Sequence, residues 1–179
     1  MKLLSRLFIF IGVLCYALGI YNIWLINDPR RLSFNSYTYA RTSSFNESFT
    51  PTGITIKSLN INLPLIPSKI SDGNWETTES GASYLASSPI PGDIGNSVIY
   101  GHNWTSLFGN LVSVLPGDEI EITYEDKSVK TFVVRYTSVV TPETSSILAP
   151  TTDRRITLYT CTGFLDSHRF VAVAILKDR

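Results

Sequence analysis

A cysteine and an arginine stand at the two ends of a short polar loop near the carboxy terminus. Cys161 follows the run Ile-Thr-Leu-Tyr-Thr, and Arg169 precedes the run Phe-Val-Ala-Val-Ala-Ile-Leu. Both runs have the apolar, β-branched composition typical of strands, so we predict that the thiol and the guanidinium lie at neighbouring strand ends. A cysteine is a good nucleophile only as thiolate, which a nearby cation or base favours. The pattern indicates nucleophilic catalysis and makes the histidines the next residues to consider.

The chain has two histidines, and either could supply the base. His102 follows the apolar run 97–100 and therefore belongs to a different predicted strand from Cys161. His168 lies in the same loop as Arg169, close to Cys161 in sequence. Considered singly, a histidine at a strand end is more often a surface or hydrogen-bonded residue than a catalyst. A single cysteine is likewise more often an inert core residue. The hypothesis of nucleophilic catalysis therefore rests on the cysteine, a histidine and the arginine taken together.

Three separated motifs together resemble the sortases, the cysteine transpeptidases of the bacterial cell surface. They are Gly101-His102 after a hydrophobic strand, Thr157-Leu-Tyr-Thr-Cys161 and Ser167-His-Arg169. The resemblance implies that His102, Cys161 and Arg169 are catalytic. Thr160, directly before the nucleophile, is a candidate to support the substrate or the oxyanion through its hydroxyl or backbone; the alternative is that, as an outward strand residue, it does neither. His168 is expected to be structural, because the family pattern places the base on a separate strand from the cysteine.

The resemblance implies an acyl transfer through a thioester. Cys161 would attack the scissile carbonyl, His102 would protonate the departing amine and deprotonate the incoming one, and Arg169 would hold the substrate carbonyl or oxyanion. The implied substrates are exported proteins with a carboxy-terminal sorting signal of the Leu-Pro-x-Thr-Gly type. The implied acceptor is an amine of a peptidoglycan precursor or a pilin lysine. Two alternatives remain, a thiol peptidase that releases its substrate to water and a barrel that binds peptides without catalysis.

Composition argues against several other functions. The 179 residues contain 15 Lys and Arg against 15 Asp and Glu, so no basic field indicates a nucleic acid partner. The two cysteines are Cys15 and Cys161, and a disulfide between them is not expected because Cys15 lies in a hydrophobic segment. We expect no cofactor and no zinc, since two histidines and one usable cysteine lack close ligand spacing. A loop calcium site of the kind some sortases possess stays open, although scattered acids are normally solvated. Its candidate ligands are Asp118, Glu119, Glu143 and Asp153.

The amino-terminal segment has the features of a membrane anchor. Lys2 and Arg6 precede the apolar run Leu7–Ile26, which has about the length that a helix needs to cross a bilayer. The run is longer than a signal-peptide core and lacks a clear small-x-small cleavage site, so we predict an uncleaved single-pass anchor. The amino-terminal charges favour a cytoplasmic start, whereas Arg30 and Arg31 oppose it. Chemistry at the cell surface requires the long carboxy-terminal part of the chain to lie outside the cell. We therefore predict that the amino terminus is cytoplasmic.

The sequence divides into three predicted regions. Residues 1–27 are the cytoplasmic tip and transmembrane anchor, residues 28–51 are a polar linker, and residues 52–179 are the catalytic domain. Pilin-building sortases carry an Asp-Pro-aromatic lid, but here Arg30 follows Asp28-Pro29, so we infer no lid. About eight short strands with few helical segments predict a mainly β fold, a closed or nearly closed barrel. The resemblance implies the same sortase barrel.

Local patterns give further expectations. Alternation over 53–66 predicts two short strands, and Pro64 and Pro67 restrict the second to an edge or a strand end. Residues 81–88 are expected to form a short helix, and Thr105 is expected to cap one or two helical turns. Leu115-Pro-Gly-Asp118 predicts a turn before a hairpin made of residues 119–124 and 130–140.

Overall fold

The computed structural model describes residues 2–26, 32–34, 50–71 and 74–177. It begins with an apolar helix, α1 (Lys2–Ile26). The strands that follow are β1 (Pro51–Ile56), β2 (Ile61–Ser68), β3 (Ile70–Ser71), β4 (Asn74–Trp75), β5 (Ala82–Leu85), β6 (Gly95–Tyr100), β7 (Glu119–Tyr124), β8 (Val129–Val140), β9 (Arg154–Thr162) and β10 (His168–Leu176). Short 3-10 helices lie at Lys57–Leu59, Gly109–Ser113, Ser145–Leu148 and Phe164–Asp166.

Eight of these strands close into a barrel, which confirms the predicted mainly β fold. The order around the barrel is β1-β2-β5-β6-β9-β10-β8-β7, while β3 and β4 form a separate two-stranded hairpin. The β2/β5 and β6/β9 pairs are parallel, and the other barrel pairs are antiparallel. Closure pairs every barrel strand on both sides and so removes exposed sheet edges.

Apolar side chains form two clusters, one on each face of the barrel wall. Successive strand residues point to opposite faces, so Leu158 packs in the barrel interior whereas Tyr159 and Cys161 belong to an outer cluster. The interior cluster includes Ile54, Ile56, Ile99, Phe108, Ile122, Phe132, Leu158 and Phe170. The outer cluster includes Leu32, Phe34, Trp75, Tyr100, Leu148, Tyr159, Cys161, Val171 and Val173. Burial on both faces explains why β10 has a continuous apolar run from Phe170 to Leu176.

The position of β2 corrects the expectation of an edge strand. Its first half pairs with β1, where Pro64 lies opposite Gly53. Its second half pairs with β5, where Pro67 lies opposite Tyr84. The hydrogen-bonded partner changes along β2, so each half of the strand is paired on one side. A proline, which has no N–H to donate, is tolerated when its nitrogen faces the other side. The prolines therefore mark a change of partner inside a closed barrel.

Two expected helical features are also corrected. Residues 82–85 of the expected 81–88 helix form β5, which is fully buried and pairs with β2 and β6. The barrel pairing overrides the weak helical preference of this short segment. The 3-10 helix Gly109–Ser113 begins after Phe108, so Thr105 is not its cap.

The predicted turn and hairpin are confirmed. The Asp118 N–H donates to the Leu115 carbonyl at 3.1 Å, and Gly117 has a φ of +98°. A type II turn needs this left-handed conformation at its third residue, and glycine adopts it without a steric cost. β7 and β8 then pair as an antiparallel hairpin.

Helix α1 is long and apolar enough to cross a membrane. The candidate span is Leu4–Trp24, and its side chains are exposed. Residues 28–31 and 35–49 of the predicted linker, including Asp28-Pro29, lie outside the described residues. The boundaries of anchor, linker and catalytic domain stay predictions.

The close contact of Gly81 with β2 gives a test of the barrel. A Cβ at Gly81 would lie 2.4 Å from the Pro64 carbonyl oxygen, so Gly81→Ala should destabilise the fold by about 2 kcal/mol through overpacking. The matched control is Gly53→Ala, whose Cβ would meet its nearest neighbours at 3.7 Å. Urea unfolding of the full chain in detergent measures both. Equal stability of the two variants would contradict this account of the β2/β5 contact.

Candidate active site

The structure brings the three predicted catalytic residues together at one end of the barrel. His102 and Cys161 line the same cavity, which has a volume of about 260 Å³. Arg169 lies directly opposite Cys161 in the antiparallel β9/β10 pair, where paired Cβ atoms are about 5 Å apart. The other cavity residues are Leu32, Asn103, Trp104, Gly163, Leu165 and Asp166.

The parallel register of β6 and β9 explains why His102 meets Cys161. Tyr100 pairs with Tyr159 at the end of this ladder, and one further residue, Gly101 or Thr160, then precedes the histidine or the cysteine. The Gly101 N–H donates to the Tyr159 carbonyl at 3.3 Å, which extends the ladder past the last pair. Since parallel strands run in step, the same number of residues places His102 beside Cys161.

A hydrogen bond from Thr160 also extends the β6/β9 pairing beyond Tyr100 and Tyr159. Its buried hydroxyl donates to the Gly101 carbonyl at 2.8 Å, so the residue before the cysteine is bonded to the residue before the histidine. Thr160 alternates with Cys161 along β9 and therefore points to the barrel interior. In this arrangement the hydroxyl is engaged with the Gly101 carbonyl. Support of the substrate or the oxyanion by Thr160 stays a prediction.

Cys161 and His102 are both largely shielded from water. Cys161 is 4% exposed and His102 is 8% exposed. Burial is the main cause that lowers the pKa of His102 below its usual value, because desolvation disfavours the imidazolium. The carboxylates of Glu79 and Asp166 act in the opposite direction. The balance favours the neutral imidazole, which is the form that can accept a proton.

Arg169 is a buried cation held by backbone carbonyls. It is 3% exposed. Its Nη1 donates to the carbonyls of Asp166 at 2.9 Å and His168 at 3.0 Å, and its Nη2 donates to the Ser33 carbonyl at 3.1 Å. Its Nε has no hydrogen-bond partner among the described residues. Because a buried charge without full hydrogen bonding is costly, this donor is suited to a carbonyl that a peptide substrate supplies.

Residues Leu32, Ser33 and Phe34, which we call the strap, lie against this site. The Tyr159 hydroxyl donates to the Leu32 carbonyl at 3.0 Å, and Leu32 lines the cavity. Phe34 is buried edge-on to Tyr159, with ring centroids 5.0 Å apart. The sequence reasoning missed the strap because it treated residues 28–51 as linker. The apolar pair Leu32 and Phe34 within a polar stretch was the signal that could have identified the strap.

The loop between β9 and β10 has an unusual backbone. Gly163, Leu165 and Asp166 have φ values of +80°, +51° and +58°, and left-handed conformations of this kind disfavour residues with a Cβ. The loop brings Leu165 and Asp166 to the cavity. The His168 Nδ1 lies 2.9 Å from the Ser167 hydroxyl, and His168 does not line the cavity. The structural role expected for His168 stays a prediction.

The candidate calcium ligands have other interactions. Asp118 accepts the Leu115 N–H, Glu119 pairs with Lys177, and Asp153 pairs with Arg155. Within residues 2–26, 32–34, 50–71 and 74–177, no group of three or more His, Cys, Asp or Glu side chains is arranged to hold a metal ion.

Comparisons with known proteins are consistent with this geometry. A family model described as "Sortase domain" matches residues 54–177. Sortase A from Listeria monocytogenes is similar at 28% identity and a TM-score of 0.59, over 73% of this chain and 88% of that one. Sortase A from Corynebacterium diphtheriae is similar at 28% identity and a TM-score of 0.64, over 92% and 82%. Sortase C-1 from Actinomyces oris is similar at 25% identity and a TM-score of 0.61, over 72% and 73%. A search among curated proteins gave no match.

The strap should limit access to Cys161. Leu32→Ala or Phe34→Ala removes buried apolar contact worth about 1.5 kcal/mol or more, so a methanethiosulfonate reagent should modify Cys161 roughly tenfold faster through local opening. Mass spectrometry measures the rate in a Cys15→Ser background, which leaves one thiol. Val129→Ala, at an exposed position of β8, is the control and should react at the original rate. Unchanged rates in both strap variants would show that the strap does not limit access.

Acid should destabilise the fold through His102. Because the folded chain holds the pKa of His102 below its unfolded value of about 6.5, the unfolded state binds more protons in that window. This contribution is complete above about pH 6.5 and is lost as the pH falls through the lowered pKa. The fall in melting temperature between pH 7.5 and pH 5 should therefore be smaller in His102→Gln than in the unmodified chain. His168→Gln, which keeps His102, should retain the full fall; the same fall in all three proteins would refute the assignment.

Proposed function

The chain belongs to the sortase family, a family of cysteine transpeptidases, and on this premise we propose that Cys161, His102 and Arg169 carry out the transpeptidation. The family match confirms the resemblance found in the sequence. One observation carries the residue assignment: Cys161 shares a cavity with His102 and is paired in register with Arg169. A nucleophile, a base and a fixed cation thus lie within reach of a single peptide bond.

The first half-reaction cleaves the substrate. The Cys161 sulfur, as thiolate, attacks the scissile carbonyl carbon, and a tetrahedral intermediate forms with the negative charge on oxygen. The C–N bond then breaks, and the His102 imidazolium gives its proton to the departing amine. The product is a thioester between Cys161 and the new carboxy terminus of the substrate. A neutral imidazole remains, which the buried position of His102 favours.

The second half-reaction joins the acyl group to the acceptor. An incoming primary amine attacks the thioester carbonyl, and His102 accepts the proton that the nitrogen loses. The new C–N bond forms as the C–S bond breaks, so sulfur leaves as thiolate beside the imidazolium. This restores the starting state, as microscopic reversibility requires.

Arg169 stabilises the carbonyl oxygen in both half-reactions. Its Nη2 donates to the Ser33 carbonyl at 3.1 Å, whereas its Nε has no partner among the described residues and is the donor that supports a role towards a substrate carbonyl or oxyanion. Backbone carbonyls hold Nη1 in place, so the guanidinium needs little reorganisation. Arginine is suited to this role because it stays charged and presents a planar set of donors.

The substrates follow from family membership. We propose a sorting signal of the Leu-Pro-x-Thr-Gly type near the carboxy terminus of exported proteins, and an acceptor amine on a peptidoglycan precursor or a pilin lysine. We also propose that α1 anchors the enzyme with its amino terminus in the cytoplasm and the barrel outside. The length and composition of Leu4–Trp24 and the charges of Lys2 and Arg6 support this topology.

A quenched sorting-signal peptide tests the proposal. The full chain in detergent should cleave the peptide and, with triglycine present, should give a product that contains the added amine. Cys161→Ala should abolish cleavage, His102→Ala should reduce it by about 10³-fold or more, and Arg169→Ala by about 10²-fold. His168→Ala, the matched histidine control, should stay within about threefold, because a surface change has little effect.

Other outcomes would assign a different function. Cleavage in which amine never appears in the product indicates a thiol peptidase. Peptide binding that Cys161→Ala leaves intact, with no cleavage by the unmodified chain, indicates a binding barrel. Mass spectrometry of the trapped enzyme should locate the acyl group on Cys161; an acyl group on another residue would refute the mechanism.

A further inference from the structure

Trp104 lies against the histidine that the proposed mechanism uses as acid and base. We propose that Trp104 is a positioning residue, which fixes the plane of the His102 ring and favours its protonated form through the indole face. This inference rests on the proposed function for its kinetic consequences. Its structural part concerns only the contact between the two rings.

The two rings form a nearly parallel stack. Their centroids are 4.6 Å apart and their planes differ by 13°. Rotation of the imidazole out of this plane would break the contact with the indole, so the stack restricts the ring to this plane. Both residues line the active-site cavity, and the stack therefore fixes the plane in which the proton-carrying nitrogen faces Cys161.

The backbone holds Trp104 in this position. The Trp104 carbonyl accepts N–H groups from Leu107 and Gly109, both at 2.8 Å. A Cβ at Gly109 would lie 2.7 Å from that carbonyl oxygen, so the turn closes this tightly only with glycine. The Phe108 N–H donates to the His102 carbonyl at 3.1 Å. The loop thus fixes the backbone of both stacked residues.

The stack has two opposite effects on His102. An indole face attracts a cation within about 6 Å, so it stabilises the imidazolium. The same ring covers His102 and contributes to the burial that disfavours the charged form. Each half-reaction requires both the neutral and the protonated form of His102. The Trp104 indole buries His102, which disfavours the protonated form, but its face offsets part of that cost and so suits this cycle.

Other charged groups also face His102. The carboxylates of Glu79 and Asp166 favour its protonated form, and the Arg169 guanidinium lies beyond Cys161, to which it is paired across β9 and β10. Because all of these groups stay in place when Trp104 is replaced, the substitutions isolate the contribution of the indole.

Three substitutions separate the two effects. Trp104→Leu keeps an apolar cover but removes the aromatic face, so the pKa of His102 should fall by about 0.5. Trp104→Ala admits water, so that pKa should rise towards its usual value. Trp104→Phe keeps an aromatic face and should stay close to the unmodified chain. Nuclear magnetic resonance of histidine-labelled full chain in micelles measures these values, and His168→Gln assigns the two signals.

Peptide cleavage provides the second readout. Trp104→Leu should reduce kcat about tenfold with KM changed less than twofold, and Trp104→Phe should restore most of the rate. Val112→Ala is the control, at an exposed position of the same segment, and should change neither quantity. Melting temperatures identify any variant that fails to fold. If Trp104→Ala fails to fold, the comparison of Trp104→Phe with Trp104→Leu still tests the positioning role.

The two proposals can fail independently. If Trp104→Leu and Trp104→Phe share the His102 pKa and the kcat of the unmodified chain, Trp104 is only a cavity wall and the positioning role is wrong. If the unmodified chain cleaves no sorting-signal peptide, the proposed function fails. The nuclear magnetic resonance measurement still decides whether the stack acts on His102.

Discussion

The parallel pairing of β6 with β9 is the constraint on which the site depends. Both strands run in step to Tyr100 and Tyr159, and two hydrogen bonds through Gly101 extend that pairing by one further residue. His102 and Cys161 are distant in sequence, so only this register brings them together. A shift by one residue would turn one of the two side chains to the opposite face of the wall.

Burial on both faces of the wall gives the site its chemical character. Cys161 lies on the outer face, but the strap and the outer cluster cover that face as the interior covers the other. In such surroundings hydrogen bonds are stronger and unpaired charges cost more. Arg169 is therefore held by fixed carbonyls, and the His102 imidazole favours its neutral form. The environment that stabilises the barrel also sets the protonation state available to the reaction.

The sequence predicted what periodicity and motif can encode. The barrel, the hairpin of β7 and β8, and the positions of His102, Cys161 and Arg169 at strand ends all followed from apolar runs and punctuating residues. Prediction from the sequence failed where the pairing of strands that are distant in the sequence determines the local structure. Residues 82–85 became a strand because β2 and β6 flank them, and β2 accommodates its prolines because its partner changes. The stack of Trp104 on His102 depends on a turn closed by Gly109, which no period reveals.

The position of the strap also restricts where the enzyme can work. Leu32 is bonded to the barrel through Tyr159, and only six peptide units separate it from Ile26, the last residue of α1. A fully extended chain of that length reaches about 20 Å. In the proposed topology, with α1 across a bilayer, this connection keeps the catalytic cavity within about 20 Å of the end of α1 for as long as the strap stays docked. Under that proposal, the enzyme acts on donors and acceptors whose reactive groups lie near the membrane surface.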